Sequence, residues 1–169
     1  FSAVNSEGKT VNLSDYRGKT VVLEWTNDGC PYVRKHYGSG NMQALQKKWT
    51  GQGVVWLSVI SSPPGEQGFA DGARANSLTS ERKATPTAVL LDPKQQVARA
   101  YGATVTPHMY IIKPDGALAY AGGIDDKATT RPADIKDAKN FVDEALAELK
   151  AGKPVSNPAT RAYGCTVKY

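Results

Sequence analysis

Short β-branched and aromatic runs alternate along the chain with stretches whose apolar residues recur every three or four positions. "VVLEW" (21–25) has no polar/apolar alternation and reads as a strand buried on both faces. "VVWLSVI" (54–60) reads the same way, and "AVLLDP" is a shorter strand ending at the Asp92-Pro93 turn. Upstream, "SEGK" supplies turn chemistry, and Val11 and Leu13 alternate with polar neighbours, so residues 2–20 are expected to form a hairpin followed by a loop. "MYIIK" and "ALAYAG" flank a Pro-Asp-Gly turn and predict an antiparallel hairpin.

Helical spacing fills the gaps. Pro31 suits a first helical position, where its missing N–H would have no partner, and "YVRKHY" continues for about two turns before Gly38-Ser39-Gly40. "NMQALQKKW" places Met42, Leu45 and Trp49 on one face, with Asn41 as the expected N-cap and Gly51 and Gly53 as the stop. Residues 69–83 are weakly helical, and "KQQVARAYGA" is a brief helix ended by Gly102. "PADIKDAKNFVDEALAELKAG" is expected to be one amphipathic helix whose stripe is Ile135, Ala138, Phe141, Val142, Ala145 and Leu146. Strands alternating with helices, plus a late hairpin, predict an α/β sandwich with a mixed central sheet flanked by helices. The organisation is one domain over residues 1–152 and a polar, proline-containing tail over 153–169 that carries Cys165.

Composition narrows the function. With 169 residues and 40% hydrophobic content the chain can bury a core without staples. No apolar run approaches the roughly 20 residues that cross a bilayer. No signal peptide is visible, yet the numbering opens inside a strand-like pattern, so an upstream segment is expected to have been removed. The net charge of +5 comes from 21 basic residues interspersed with 16 acidic ones, without a dense Lys/Arg block, which argues against a nucleic-acid partner. Two cysteines are too few for a disulfide scaffold or a Cys-only zinc site but enough for one redox couple.

The first of them, Cys30, follows the end of a buried strand and opens a helix. There the free N–H groups and the positive end of the helix dipole favour a thiolate. Arg34 and Lys35 add positive potential. His36 is not expected to act as its base: six residues along a helix is roughly 240° of rotation. It is expected to be a surface or packing residue. His108, next to Pro107, is the better candidate, provided that the "VTPH" loop folds over Cys30.

Two longer segments carry a resemblance. "SEGKTVNLSDYRGKTVVLEW" leading into the cysteine, and "YGATVTPHMYIIKPDGALAYAGG", resemble the thioredoxin-like redoxins, a group that includes the AhpC/TSA proteins and the membrane-anchored or periplasmic thiol–disulfide oxidoreductases. The resemblance implies a thioredoxin-like sandwich. It also implies that Thr106-Pro107 is a cis-proline loop set against the active cysteine, where it receives an extended substrate backbone; Pro31 and His108 complete the expected substrate side. The pattern departs from both parent chemistries. Val33 stands where a Cys-x-x-Cys site has its second cysteine. Asn27, Leu23 and Thr106-Pro107 stand where a peroxiredoxin has threonine or serine, proline and arginine; Asn27 or Arg99 would have to substitute.

The expected activity is thiol-dependent oxidoreduction with Cys30 as nucleophile and Cys165 as resolving thiol, the tail folding back to reach it. A permanent bridge, worth roughly 4.7 kcal/mol for a loop of about 100 residues, or two unpaired thiols, are the alternatives for the pair. The partners would be a protein or small-molecule disulfide, or a peroxide in the peroxiredoxin-like alternative, and an external thiol reductant. No cofactor and no resident metal are called for. Outside redox catalysis, Cys30, Cys165 and His108 could bind copper(I), or the fold could be a redox-inactive docking module. The resemblance to exported redoxins favours the bacterial periplasm, with the cytoplasm as the alternative.

Overall fold

The computed structural model describes all 169 residues. Nine strands and five α-helices form: β1 (Ser2–Asn5), β2 (Thr10–Asn12), β3 (Val21–Trp25), α1 (Pro31–Gly38), α2 (Asn41–Thr50), β4 (Val55–Ile60), α3 (Gly72–Glu81), β5 (Ala88–Leu91), α4 (Gln96–Tyr101), β6 (Val105–Thr106), β7 (His108–Ile112), β8 (Leu118–Gly122), α5 (Phe141–Lys150) and β9 (Cys165–Thr166). Seven strands make one mixed sheet in the order β2-β1-β5-β4-β3-β7-β8. β3 pairs in parallel with β4, as β4 does with β5, while β7 runs antiparallel to both β3 and β8. The central strands β3 and β4 are buried at every position, as an uninterrupted apolar run requires when helices cover both faces.

Alternation along the strands sorts the core into two layers. Val22, Trp56, Met109 and Ile111 face α1, α2 and α5 through Val33, Met42, Trp49, Val142 and Leu146. Leu23, Trp25, Leu57, Tyr110 and Ile112 face the other way, against Val97 and Ala98 of α4. α3 closes a smaller cluster with Ile60 and Val89. An ionisable side chain also lies inside the first layer: Glu24, on β3, accepts hydrogen bonds from Tyr37 Oη, Trp56 Nε1, Ser58 Oγ and Gln46 Nε2 at 2.6–3.2 Å. That full set of donors is what a buried carboxyl requires.

Two helix ends differ from the sequence expectation. Asn41 is the first residue of α2 rather than its cap; Gly40, at φ 80°, holds the cap position because the short α1–α2 connection needs a left-handed residue. The long amphipathic segment is also broken. Residues 132–137 form a 3-10 turn, Ala138 is extended, and α5 starts only after Asn140, whose side chain accepts from the Asp143 N–H at 2.8 Å. A local cap outcompetes continued helix here. Ile135 and Ala138 therefore leave the stripe, and Val142, Ala145 and Leu146 carry the burial.

The segment beyond α5 is woven into the domain. Its first part bridges the edge of β8, with the Ala121 N–H donating to the Pro158 carbonyl and the Thr160 N–H to the Ala121 carbonyl. It then crosses to β6, where β9 pairs antiparallel with Thr106 opposite Cys165. Tyr163 and Val167 are buried, the first in one core layer and the second in the other.

Candidate active site

Cys30 is the N-cap of α1, with Pro31 following in the first turn. Its carbonyl accepts from the Arg34 N–H at 2.9 Å, and its own N–H donates to the Asn27 carbonyl at 3.1 Å. The thiol therefore sits at the positive end of the helix and is itself fully buried. Two groups cover its sulfur: the Thr106 carbonyl oxygen at 3.4 Å and Cys165 Sγ at 2.6 Å. The Thr106–Pro107 peptide is cis.

The two cysteines are electrostatically unequal. Burial pushes the Cys30 thiol up. Hydrogen bonding, foremost with the Cys165 thiol and also from the Val33 and Cys165 backbone, outweighs it, so the net shift is downward. Cys165 moves the opposite way, to about 11, through burial and through donating its S–H to Cys30. Cys30 is thus the more acidic of the two thiols and Cys165 the less acidic.

His108 lies elsewhere. On β7 it points to the face opposite Met109, where its Nδ1 accepts from the Thr104 N–H at 3.1 Å and its ring stacks on Tyr110 at 4.7 Å. The "VTPH" loop does fold over Cys30, but strand alternation sends the imidazole through to the other core layer. A set of Cys30, Cys165 and His108 is therefore not gathered at one point. Asn27 and Arg99 are also occupied. Asn27 accepts from the Gly29 N–H at 2.9 Å and donates to Gln67, and Arg99 lies over the Tyr169 ring at 4.7 Å.

Sequence reasoning missed a polar cluster behind the site. His36 is fully buried rather than at the surface, and its Nε2 is 3.0 Å from Tyr163 Oη. Its Nδ1 receives the Asn41 side-chain amide at 2.9 Å, which places the imidazole proton on Nε2 and makes Tyr163 Oη its acceptor. Tyr163 in turn donates to Asp125 Oδ1 at 2.6 Å and accepts from Lys35 Nζ at 3.3 Å. Lys35 completes its coordination on the Lys127 carbonyl at 2.7 Å. Burial lowers the Lys35 ammonium from its usual value, an effect that the Asp125 carboxylate opposes. Three buried polar residues, Lys35 and His36 of α1 and the distant Asp125, thus converge on one phenol, two residues before Cys165. Only the tertiary fold assembles them, and the local pattern "RAYGC" carries no signal of it.

Glycine makes the pairing of β9 with β6 feasible. At Gly164 (φ 149°) a Cβ would sit 1.8 Å from the Thr106 carbonyl oxygen, so the backbone there can carry no side chain.

Known proteins resemble this chain in sequence and fold. The AhpC/TSA family model matches residues 1–121. Thiol-disulfide oxidoreductase ResA of Bacillus subtilis is 26% identical over 118 residues, a match that covers 70% of this chain and 60% of that protein's length. A hypothetical protein from Sinorhizobium meliloti superposes with a TM-score of 0.84 at 24% identity, covering 100% of this chain and 90% of its own. The pneumococcal exposed lipoprotein thioredoxin from Streptococcus pneumoniae superposes with a TM-score of 0.57 at 24% identity over 81% of this chain and 95% of its own. The chain belongs to the AhpC/TSA family, and its fold is thioredoxin-like.

Proposed function

We propose that this AhpC/TSA family member is a thiol–disulfide oxidoreductase in which Cys30 is the nucleophile and Cys165 the resolving thiol. The observation that carries the reading is the 2.6 Å approach of the two sulfurs, one lowered and one raised in pKa, at a helix N-terminus. The Cys30 thiolate attacks one sulfur of a substrate disulfide. That S–S bond breaks, one substrate thiolate leaves and takes up a proton, and a mixed disulfide forms on Cys30. Cys165 then loses its proton and attacks Cys30 Sγ, releasing the second substrate thiol and leaving a Cys30–Cys165 disulfide. An external dithiol reduces that bond and restores both thiols. Two electrons and two protons pass to the substrate in each cycle.

The peroxide-reducing alternative has less support, because the polar side chains that would have to polarise a peroxide, Asn27 and Arg99, are bonded elsewhere. A periplasmic setting belongs to the same reading: one neighbour is described as an exposed lipoprotein, and a cysteine pair can stay oxidised outside the cytoplasm.

The test compares reduction of a protein disulfide with consumption of hydrogen peroxide in the full chain and in Cys30→Ser and Cys165→Ser. The expected result is disulfide reduction abolished by Cys30→Ser, and accumulation of a substrate mixed disulfide in Cys165→Ser. Activity that survives Cys30→Ser, or peroxide turnover that outpaces disulfide reduction, overturns the proposal.

A further inference from the structure

The thiol that meets Cys30 belongs to a segment of the same chain. Residues 161–169 form a strap laid over the site, and Cys30 has no exposure of its own beneath it. The strap is held at both ends and in the middle. Tyr163 is anchored in the His36–Asp125–Lys35 cluster. The Val167 N–H donates to the Thr104 carbonyl at 2.9 Å, and Gln95 donates to the Lys168 carbonyl. Tyr169 Oη donates to the Ala103 carbonyl at 2.5 Å, with Arg99 over its ring. Between these anchors β9 is the sole partner of β6.

An external sulfur that reacts with Cys30 must come to the point now occupied by Cys165 Sγ, and the strap cannot stay while it does. Once the strap lifts, Thr106 presents an unpaired strand edge beside Cys30, a template for another extended backbone. The residue ahead of the incoming cysteine then meets the constraint that Gly164 meets now, a Thr106 carbonyl oxygen 1.8 Å from where a Cβ would lie.

We propose that the strap is a resident competitor of the substrate. It and an external polypeptide occupy the Thr106 edge in turn, and the site selects polypeptides with glycine immediately before the reacting cysteine. The inference rests on the exchange reading for its biological meaning, but the occlusion it describes can be measured without turnover.

The experiment uses the full chain in a Cys165→Ser background, so that Cys30 is the only thiol. The rate of Cys30 alkylation by a maleimide is measured across pH and expressed per thiolate. With Cys165→Ser alone the strap stays seated, and the rate is at least tenfold below that of a free cysteine peptide. Adding Gly164→Ala, which drives a Cβ into the Thr106 carbonyl, or Tyr169→Ala, which removes the distal anchor, raises the rate at least tenfold. A peptide of the strap sequence from Ala162 to Tyr169, with serine for Cys165, then protects Cys30 in the loosened variants. The same peptide with valine in place of the glycine does not. Circular dichroism checks that each variant is folded, and if Gly164→Ala is not, Tyr169→Ala decides. Free-thiol reactivity in Cys165→Ser alone, or no acceleration on loosening, overturns the occlusion; equal protection by the two peptides overturns the glycine rule. Failure of the exchange assay with occlusion intact would count against the oxidoreductase reading instead.

Discussion

Replacing Tyr163 with phenylalanine removes one oxygen and keeps the ring, including its edge-on contact with Tyr32 at 5.7 Å. Three hydrogen bonds end on that oxygen: donation to Asp125 at 2.6 Å, and acceptance from His36 at 3.0 Å and Lys35 at 3.3 Å. A hydrogen bond to a charged group contributes about 1.5–3 kcal/mol, and a buried donor left without an acceptor costs about 1–3 kcal/mol. Lys35 retains the Lys127 carbonyl and Asp125 retains the Lys127 N–H, so the uncompensated terms are the carboxylate bond and the His36 N–H. Together they amount to about 3 kcal/mol. For a domain of this size that corresponds to a fall of roughly 6–12 °C in Tm. The loss should concentrate in the strap. Hydrogen exchange at Val167, whose N–H is bonded across to Thr104, should speed up by two orders of magnitude or more if the strap opens as a unit, with the β3 amides much less affected. Denaturant titration and amide exchange of Tyr163→Phe measure both. A stability change under about 0.5 kcal/mol with unaltered protection at Val167 would refute the assignment of this phenol as the anchor.

Two further outcomes follow from titrating groups. Cys165 supplies the foremost of the interactions that lower the Cys30 pKa, so Cys165→Ala, which removes the donor, should move the Cys30 thiolate transition to higher pH, as followed by ultraviolet absorbance; an unchanged or lower value contradicts the hydrogen-bonded pair. Burial holds both His36 and His108 near pKa about 4, against an ordinary value of about 6.5. Below pH 6.5 the unfolded chain takes up protons that the folded chain refuses, so this stability is complete above that pH and is lost as pH falls towards 4. At pH 5 each histidine accounts for a loss of about 2 kcal/mol relative to pH 7. Denaturant midpoints that do not fall between pH 7 and pH 5 would show that these imidazoles protonate while folded.

The parts legible in the sequence were those with local signatures. Uninterrupted apolar runs gave β3 and β4, turn residues gave the two hairpins, and the strand-to-helix junction singled out Cys30. The resemblance, rather than any periodicity, pointed to Thr106-Pro107. What stayed hidden depended on distant partners or on very short elements. β9 has two residues, too few for any alternation to register, and its pairing with β6 spans about sixty positions of chain. His36 was turned away from Cys30 by helical geometry, yet nothing nearby announced Asp125 or Tyr163 as its partners. His108 was misdirected for a simple reason: being next to the loop says nothing about which face of β7 a side chain takes, and parity decides that. The break at Ala138 went unseen because the apolar spacing continues through it; only the Asn140 cap marks the true start of α5.

The order in which these parts are made has a consequence of its own. Cys30 and Cys165 are 135 positions apart, and the strap follows every other element described. At synthesis rates of about 5–20 residues per second, roughly 7–27 s separate the emergence of the nucleophile from that of its cover. During that interval the nascent chain carries a sulfur with nothing of its own to shield it, the state most open to a stray mixed disulfide. Of the elements described, the strap is therefore the last to emerge, and seating it closes the period in which the wrong partner can arrive first.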